Sequence, residues 1–238
     1  MPRGQRMRRH RSRERDPRAM NTGGAGRLTI VGLGGSLRAA SHSRAALEVA
    51  LAGAEEAGAE TKLLDLRELV LPMFDPEHES PAGPAAELVE TCYAADGMLW
   101  SSPLYQGTVS GAFKNSLDWL HILGSREPPY LHDKVVGLIS AAGGMQGLQA
   151  INTMEFSARA LRAWAVPYVV PIASAARAFD SDGRVHDDGI EAQLRTLGGE
   201  VARVTTRFVA DATLHRFAEC ERVADRVALA GAPRATAT

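Results

Sequence analysis

Short apolar runs alternate along the chain with longer stretches in which apolar residues recur at helical spacing. Five runs have the length and composition of strands, and they cover residues 28–31, 60–66, 96–100, 134–139 and 168–172. Helical spacing follows them over residues 41–51, 84–95, 107–120, 148–164 and 188–210. Strands that alternate with helices of this length predict an α/β fold, a parallel sheet with helices on both faces.

The first predicted strand ends in glycines that lead into hydroxyl and cationic side chains. Gly32, Gly34 and Gly35 are followed by Ser36, Arg38, Ser41, Ser43 and Arg44 at the start of a predicted helix. Backbone N–H groups and the positive end of the helix dipole converge at such a turn, which favours a bound phosphate. The spacing matches neither the Walker loop nor G-x-G-x-x-G. The alternative is an ordinary strand-to-helix turn with a serine cap and no bound phosphate.

Two further segments of unusual composition leave strand ends. They are residues 101–107, which begin Ser-Ser-Pro, and residues 140–147, which contain three glycines. Ligands of parallel sheets collect outside the carboxyl ends of the strands, near the point where the strand order reverses. We therefore expect these segments to meet residues 34–43 at one edge and to hold one extended ligand.

Composition narrows the classes of protein that fit. The chain has 238 residues and 45% hydrophobic content, enough for one globular domain, and no apolar run is long enough to span a membrane. Cys92 and Cys220 lie far apart, so we predict no disulfide framework and a reducing, cytoplasmic location. The histidines show no ligand spacing, so no metal site is predicted.

Charge is distributed unevenly along the chain. Residues 1–18 carry eight arginines against Glu14 and Asp16, an excess of +6, whereas the whole chain has a formal charge of −1. The remaining residues are therefore acidic by about seven charges and are not expected to bind nucleic acid. We expect residues 1–26 to be a disordered tail, with a nucleic-acid arm or a targeting signal as the alternatives. Residues 27–212 form the predicted domain, and residues 213–238 a charged helical extension.

Two motifs resemble those of the NAD(P)H-dependent FMN reductases. Residues 35–41 match the phosphate loop G-S-x-R-x-x-S, and residues 103–119 match P-x-Y-x-G followed by G-x-x-K-N-x-L-D-W. The resemblance covers about residues 28–210 and implies a flavodoxin-like fold with five parallel strands in the order 2-1-3-4-5. The Thr-x-Thr-Gly-x-Thr loop of flavodoxins is missing, which counts against a pure electron carrier.

The resemblance also implies a cofactor site. FMN is expected as bound cofactor or released substrate, with NADPH or NADH as the reductant, and no side chain is expected to be catalytic because the flavin carries the chemistry. The phosphate is expected at Ser36, Arg38, Ser41 and Ser43. The ring is expected against Pro103, Leu104, Tyr105, Gln106, Gly107, Ser140, Gly143 and Gly144, with the backbone amides of residues 104–106 facing its polar edge.

The expected function is hydride transfer from NAD(P)H through FMN to a small acceptor. A flavin, a quinone, an azo dye and an oxidised metal ion all remain open as that acceptor. The alternative function is a flavin-binding electron carrier without catalytic turnover. A weaker alternative, a nucleic-acid-associated protein, would depend on the arginine-rich tail.

The segment after the second motif leads us to expect an oligomer. Residues 120–130 are long and apolar for a surface loop, and the neighbouring Trp119 adds a large apolar area that a monomer would gain by burying. Together with the family resemblance, this predicts a homodimer or homotetramer built on residues 107–130 and the helix near Gln146. The alternative is that Trp119 and Leu120 pack inward on their own sheet. Lys114 and Asn115 are expected in structural or subunit-contact roles.

Overall fold

The computed structural model describes residues 27–77, 80–180 and 183–231, with side chains described through residue 211. The arginine-rich tail of residues 1–26 lies outside the described residues, so its disorder and its lack of a partner stay predictions. The last residues of the proposed C-terminal extension, 232–238, also lie outside them.

A parallel sheet forms the centre of the molecule. Its strands are β1 (Thr29–Gly34), β2 (Glu60–Asp65), β3 (Gly97–Tyr105), β5 (Val135–Ala141) and β6 (Trp164–Ile172). They lie in the order β2-β1-β3-β5-β6, and every neighbouring pair is parallel. The predicted fold and strand order are confirmed. One short strand, β4 (Thr108–Val109), is added as the antiparallel partner of the end of β3.

Helices cover both faces of the sheet. One face packs against α1 (His42–Glu56) and α7 (Asp188–Gly231), and the other against α3 (Pro84–Ala94), α4 (Gly111–Trp119) and α5 (Gly147–Ala160). The described residues also form two single-turn helices, α2 (Leu66–Leu69) and α6 (Ala175–Ala178), and a 3₁₀ segment, Leu120–Ser125. Successive strand residues alternate between the two cores, as in β3, where Leu99 faces α1 and α7 and Trp100 faces α4.

The segment after residue 100 differs from the prediction. It was expected to be a loop leading into a helix at residue 107, but β3 continues to Tyr105 and returns as β4. The two residues between the strands, Gln106 and Gly107, have φ angles of 48° and 84°, the positive values that a tight hairpin turn requires. The helix α4 then begins only after Ser110, whose Oγ accepts a hydrogen bond of 3.0 Å from the Phe113 N–H.

Two helix boundaries also differ from the prediction. Trp164 was assigned to the end of a helix, but its N–H donates to the Lys134 carbonyl, so it begins β6 beside β5. The closing helix was predicted to stop at residue 210 and a separate one to follow, but α7 is one continuous helix of 44 residues. The domain boundary at residue 212 stays a prediction.

The crossing of α1 and α7 depends on two glycines. A Cβ at Gly198 would lie 1.8 Å from the Ala50 carbonyl oxygen, and one at Gly53 would lie 2.3 Å from the Arg195 carbonyl oxygen. The helix backbones therefore touch, which holds the first half of α7 against α1. Across the part of the chain that is described, no helix is both long and apolar enough to cross a membrane.

Candidate cofactor-binding site

The structure brings the three predicted segments together at one edge of the sheet. Strand β1 lies between β2 and β3, and β3 lies next to β5. In register, Gly34 lies opposite Ser101, and Pro103 lies opposite Ala141. The chain therefore leaves β1, β3 and β5 side by side, at the carboxyl ends of the strands where ligands of such sheets bind.

The segment after β1, which we call the phosphate loop (residues 35–43), carries three buried hydroxyl groups. Ser36, Ser41 and Ser43 are 4%, 8% and 1% exposed, although residues 37–40 between them are exposed. The Ser36 Oγ accepts from the Arg38 N–H at 3.2 Å, and the Ser41 Oγ accepts from the Arg44 N–H at 3.2 Å as the cap of α1. The Ser41 and Ser43 oxygens lie 3.1 Å apart. The loop thus presents hydroxyls and the first N–H groups of a 15-residue helix in one place.

The base of the phosphate loop is tied to β3 and α4. The Gly35 N–H donates to the Ser101 carbonyl at 2.8 Å, and the Ser101 Oγ donates to the Ser43 carbonyl at 2.7 Å. The Ser110 Oγ donates to the Gly35 carbonyl. A Cβ at Gly35 would lie 2.8 Å from the Phe113 side chain, so there is no room for a larger residue. Sequence reasoning missed Ser101 and Ser110 as supports of the loop, because each acts across a long separation in the chain.

Arg38 lies on the exposed part of the loop. Among the described residues its guanidinium has no ion-pair or hydrogen-bond partner, so it is available to an anion. His42 lies four residues further along the loop, and its ring stacks on that of Phe179 with the ring centroids 4.7 Å apart. Burial, and secondly the charge of Arg38, lower the pKa of His42. A cation beside the start of a helix fits a phosphate dianion.

The hairpin of β3 and β4 forms a second wall of the site. Pro103 is buried, Leu104 is half-buried, and Tyr105, Gln106 and Gly107 are exposed. Below them the Ser102 Oγ accepts from the Ser110 N–H at 3.0 Å and donates to the Pro103 carbonyl at 2.9 Å. The Thr108 Oγ1 lies 3.0 Å from the Thr153 Oγ1 on α5, so the hairpin is anchored on that helix. Its exposed tip offers backbone groups to a ligand.

The segment after β5 offers mainly backbone and open space. Gly143 and Gly144 are exposed, and a Cβ at Gly143 would meet no atom within 4 Å. Packing within the protein therefore does not explain a glycine at position 143. A flat ligand that rests on the backbone would explain it, because such a ligand needs a position without a side chain. Ser140 is fully buried, and its Oγ donates to the Gly147 carbonyl at 2.8 Å. It supports the start of α5, and its contact with a ligand stays a prediction.

Two motif residues on α4 hold a loop of their own chain. The Asn115 Nδ2 donates to the Pro72 carbonyl at 2.9 Å, and its Oδ1 accepts from the Phe74 N–H at 2.8 Å. The Trp119 Nε1 also donates to the Pro72 carbonyl, and the indole packs edge-on against Phe74. Trp119 is 5% exposed and Leu120 is fully buried. The expectation that Trp119 offers an apolar area to a partner is wrong, because the 71–76 loop already covers it.

No acid–base machinery with a strongly shifted pKa lies at this edge among the described residues. Burial raises the pKa of the Cys92 thiol to about 12, but that residue lies on α3 in the core. The described residues also contain no cluster of three or more side chains able to hold a metal ion.

A surface cleft of about 500 Å³ lies at the opposite edge of the sheet, where β6 begins. Its lining includes His132, Asp133, Glu155, Arg159 and Trp164. The His132 Nε2 lies 3.2 Å from an Asp133 carboxylate oxygen and Arg159 pairs with Glu155 at 3.3 Å, so these polar groups already contact one another. This cleft is separate from the three loops and is not the candidate site.

Comparison with known proteins identifies the family. The chain matches the family model for NADPH-dependent FMN reductase over residues 28–177. It is 30% identical over 201 residues to the NADPH-dependent FMN reductase ArsH of Shigella flexneri, which covers 84% of this chain and 76% of that protein. It is also 30% identical over 176 residues to the probable NADPH:quinone oxidoreductase 2 of rice, Oryza sativa subsp. japonica, covering 71% of this chain and 85% of that protein.

A solved structure agrees with this result at the level of the fold. The flavoenzyme NAD(P)H:(acceptor) oxidoreductase FerB of Paracoccus denitrificans superposes with a TM-score of 0.64 at 20% identity, covering 76% of this chain and 98% of that one. The phosphate loop and the hairpin both fall within the matched residues. The resemblance predicted from the two motifs is therefore confirmed: the chain belongs to the NADPH-dependent FMN reductase family, whose enzymes use FMN and NADPH.

Proposed function

We propose that this protein oxidises NADPH and delivers the electrons through FMN to a free flavin or a quinone. The observation that carries the proposal is the phosphate loop, in which three buried hydroxyls and the Arg38 guanidinium, without a partner among the described residues, lie at the start of α1. Such a set of donors suits a terminal phosphate, and each charge-assisted bond contributes about 1.5–3 kcal/mol. An open glycine segment lies beside it, where a flat ring needs room.

The residues divide between the two ends of the cofactor. Ser36, Arg38, Ser41 and Ser43 would hold the phosphate of FMN, and the ring would lie against the hairpin and the 142–147 segment. When bound, FMN supplies the chemistry, because it accepts a hydride from NADPH and releases the electrons to an acceptor. Backbone N–H groups of residues 104–106 would bind the polar edge of the ring, where negative charge develops on reduction.

The acceptor is proposed to be small and planar. Tyr105, Gln106, Gly143 and Gly144 are exposed, so the hairpin tip and the glycine segment leave the ring space open on one side. A relative named for quinone reduction and relatives named for FMN reduction both support this class. Azo dyes and oxidised metal ions are further acceptors for the same assay.

We further propose a homodimer or homotetramer, now centred on α5 rather than on Trp119. Leu148 and Phe156 lie eight residues apart on one stripe of α5, and they are 54% and 67% exposed. Tyr105 and Met145, next to the candidate site, extend this apolar surface. A partner that covers it would also wall the ring space.

Leu148→Glu should convert the assembly to monomers in sedimentation, whereas Gln193→Glu on the opposite face should not. A wild-type monomer with full turnover would contradict the proposal.

We also propose that the protein resides in the cytoplasm. Cys92 is a buried free thiol, and free thiols persist in a reducing compartment. The acceptor is proposed as the only partner besides the second subunit, with no nucleic acid or membrane.

A turnover assay tests the proposed function. The purified full-length protein is mixed with NADPH or NADH and with FMN, riboflavin or a soluble quinone, and nicotinamide oxidation is followed at 340 nm. We expect repeated turnover with at least one acceptor, and a rate that falls in Ser36→Ala at limiting FMN. Bound flavin that is reduced once, with no continued oxidation of NADPH, would instead identify an electron carrier.

A further inference from the structure

The corner between β2 and α2 contacts the phosphate loop from the side, although nothing in the two motifs includes it. Asp65 is the last residue of β2, lies opposite Gly34 in register and is nearly buried. Its Oδ1 accepts from the Arg67 N–H at 2.9 Å and so caps α2. Its Oδ2 lies 3.2 Å from the Nε of Arg44, in the first turn of α1. The carboxylate therefore links the start of α1 to the start of α2.

Arg67 then reaches from this corner to the loop. Its Nη1 donates a hydrogen bond of 2.8 Å to the Leu37 carbonyl oxygen, in the exposed part of the loop. The same peptide unit contains the Arg38 N–H, which donates to the Ser36 Oγ on the inner side. Because a peptide is planar and trans, its C=O and N–H point in opposite directions. Arg67 on the outside and Ser36 on the inside therefore fix the plane of the 37–38 peptide.

The corner itself has a defined backbone. The helix α2 ends at Val70 with φ 45° and ψ 58°, the left-handed region that a β-branched residue rarely adopts. Leu66, the first residue of α2, is 2% exposed, so the short helix that carries Arg67 is anchored on the core.

We propose that Asp65 and Arg67 are positioning residues for the phosphate of FMN. The proposal rests on the proposed function, since it assumes that residues 36–43 bind that phosphate. Arg67 orients the 37–38 peptide and with it the direction in which the Arg38 side chain leaves the backbone, and Asp65 orients Arg67. The pair thereby contributes to the preference for a phosphorylated flavin over riboflavin, without touching either one.

Comparing two ligands separates this role from a merely structural one. The full-length protein, freed of flavin, is titrated with FMN and with riboflavin, which has the same ring but no phosphate. Loss of one hydrogen bond in Arg67→Met should weaken FMN binding about three- to ten-fold and leave riboflavin binding unchanged. Arg67→Lys keeps a donor within reach of Leu37 and should restore part of the FMN affinity. Arg203→Met is the matched control, because that exposed arginine pairs only with Glu200 on α7 among the described residues.

The outcomes distinguish the positioning role of Arg67 from the phosphate site itself. If Ser36→Ala lowers FMN affinity selectively but Arg67→Met lowers neither affinity, or both equally, the positioning role is overturned and the phosphate loop stands. If neither Ser36→Ala nor Arg38→Ala separates FMN from riboflavin, the phosphate site is overturned and the positioning role with it. Melting temperatures of Arg67→Met and Arg203→Met should match, which shows that the fold is intact.

Discussion

The phosphate loop and the two ring segments lie at the same edge of the sheet but are built in different ways. The phosphate loop contains buried hydroxyls that bond to backbone N–H groups nearby, and side chains of β3, the α4 cap and α2 each donate a hydrogen bond to it. The hairpin tip of residues 105–107 and the segment of residues 142–147 are mostly exposed, and they are rich in glycine. One region is a preformed set of donors, and the other is mainly backbone beside open space.

The difference follows from what each region is expected to bind. A phosphate is small and doubly charged, so its binding depends on donors held in direction before it arrives. A flavin ring is large, flat and weakly polar, so it needs room and a few backbone groups. Substitutions should therefore act on stability and phosphate recognition in the first region, and on ring binding without loss of stability in the second.

The largest expected effect is a loss of stability when a tightly packed glycine is replaced, compared with a glycine that has open space around it. Gly35→Ala would place a methyl group 2.8 Å from the Phe113 side chain, a buried core residue on α4. Overpacking of this kind costs about 1–3 kcal/mol, so the melting temperature should fall by several degrees. Gly143→Ala, where a Cβ meets nothing within 4 Å, is the matched control and should melt with the wild type. Equal melting temperatures for both variants would contradict the proposed difference in packing between the phosphate loop and the 142–147 segment.

Arg38→Ala should weaken FMN binding about ten-fold, because it removes one charge-assisted bond to the phosphate. The exposed position of Arg38 means that the fold should not suffer. Riboflavin binding, measured in a parallel titration, should stay at the wild-type value. Unchanged FMN affinity in both Arg38→Ala and Ser36→Ala would place the phosphate elsewhere.

Gly143→Ala should weaken FMN and riboflavin binding alike, by a few-fold. Its methyl group would enter the space that the ring is proposed to occupy, and the two flavins share that ring. Fluorescence titration with both ligands measures the effect. A loss confined to FMN, or no loss for either flavin, would show that the ring does not rest on this segment.

The smallest effect concerns His42, a residue of the phosphate loop whose ring stacks on Phe179. Burial, followed by the charge of Arg38, lowers its pKa, so the folded protein without ligand disfavours the protonated ring. As the pH falls below about 6.5, the unfolded chain takes up this proton more readily, and stability decreases. His42→Gln should show a slightly smaller drop in melting temperature between pH 7.5 and 5.5. An identical drop in both proteins would mean that His42 contributes nothing to the pH dependence.

Much of the site could be predicted from the sequence because its signals are local. Gly34 and Gly35 at the end of β1, the serines and Arg38 lie within ten residues of one another. The alternation of strands and helices predicted the parallel sheet and its carboxyl edge. The strand order and the family followed from two motifs with a specific spacing. The hairpin turn at Gln106 and Gly107 was missed, because only one of its two central residues is a glycine.

By itself, the sequence determined the chemistry that is available at each strand end, since periodicity and turn composition act over a few residues. Tertiary structure alone decided which side chains hold that chemistry in place. The bonds from Arg67 to Leu37, from Ser101 to Ser43 and from Ser110 to Gly35 join residues 30, 58 and 75 positions apart. Trp119 likewise turned inward because the distant Pro72 and Phe74 cover it. No local pattern encodes such pairs, because they arise only when the sheet brings the ends of its strands together.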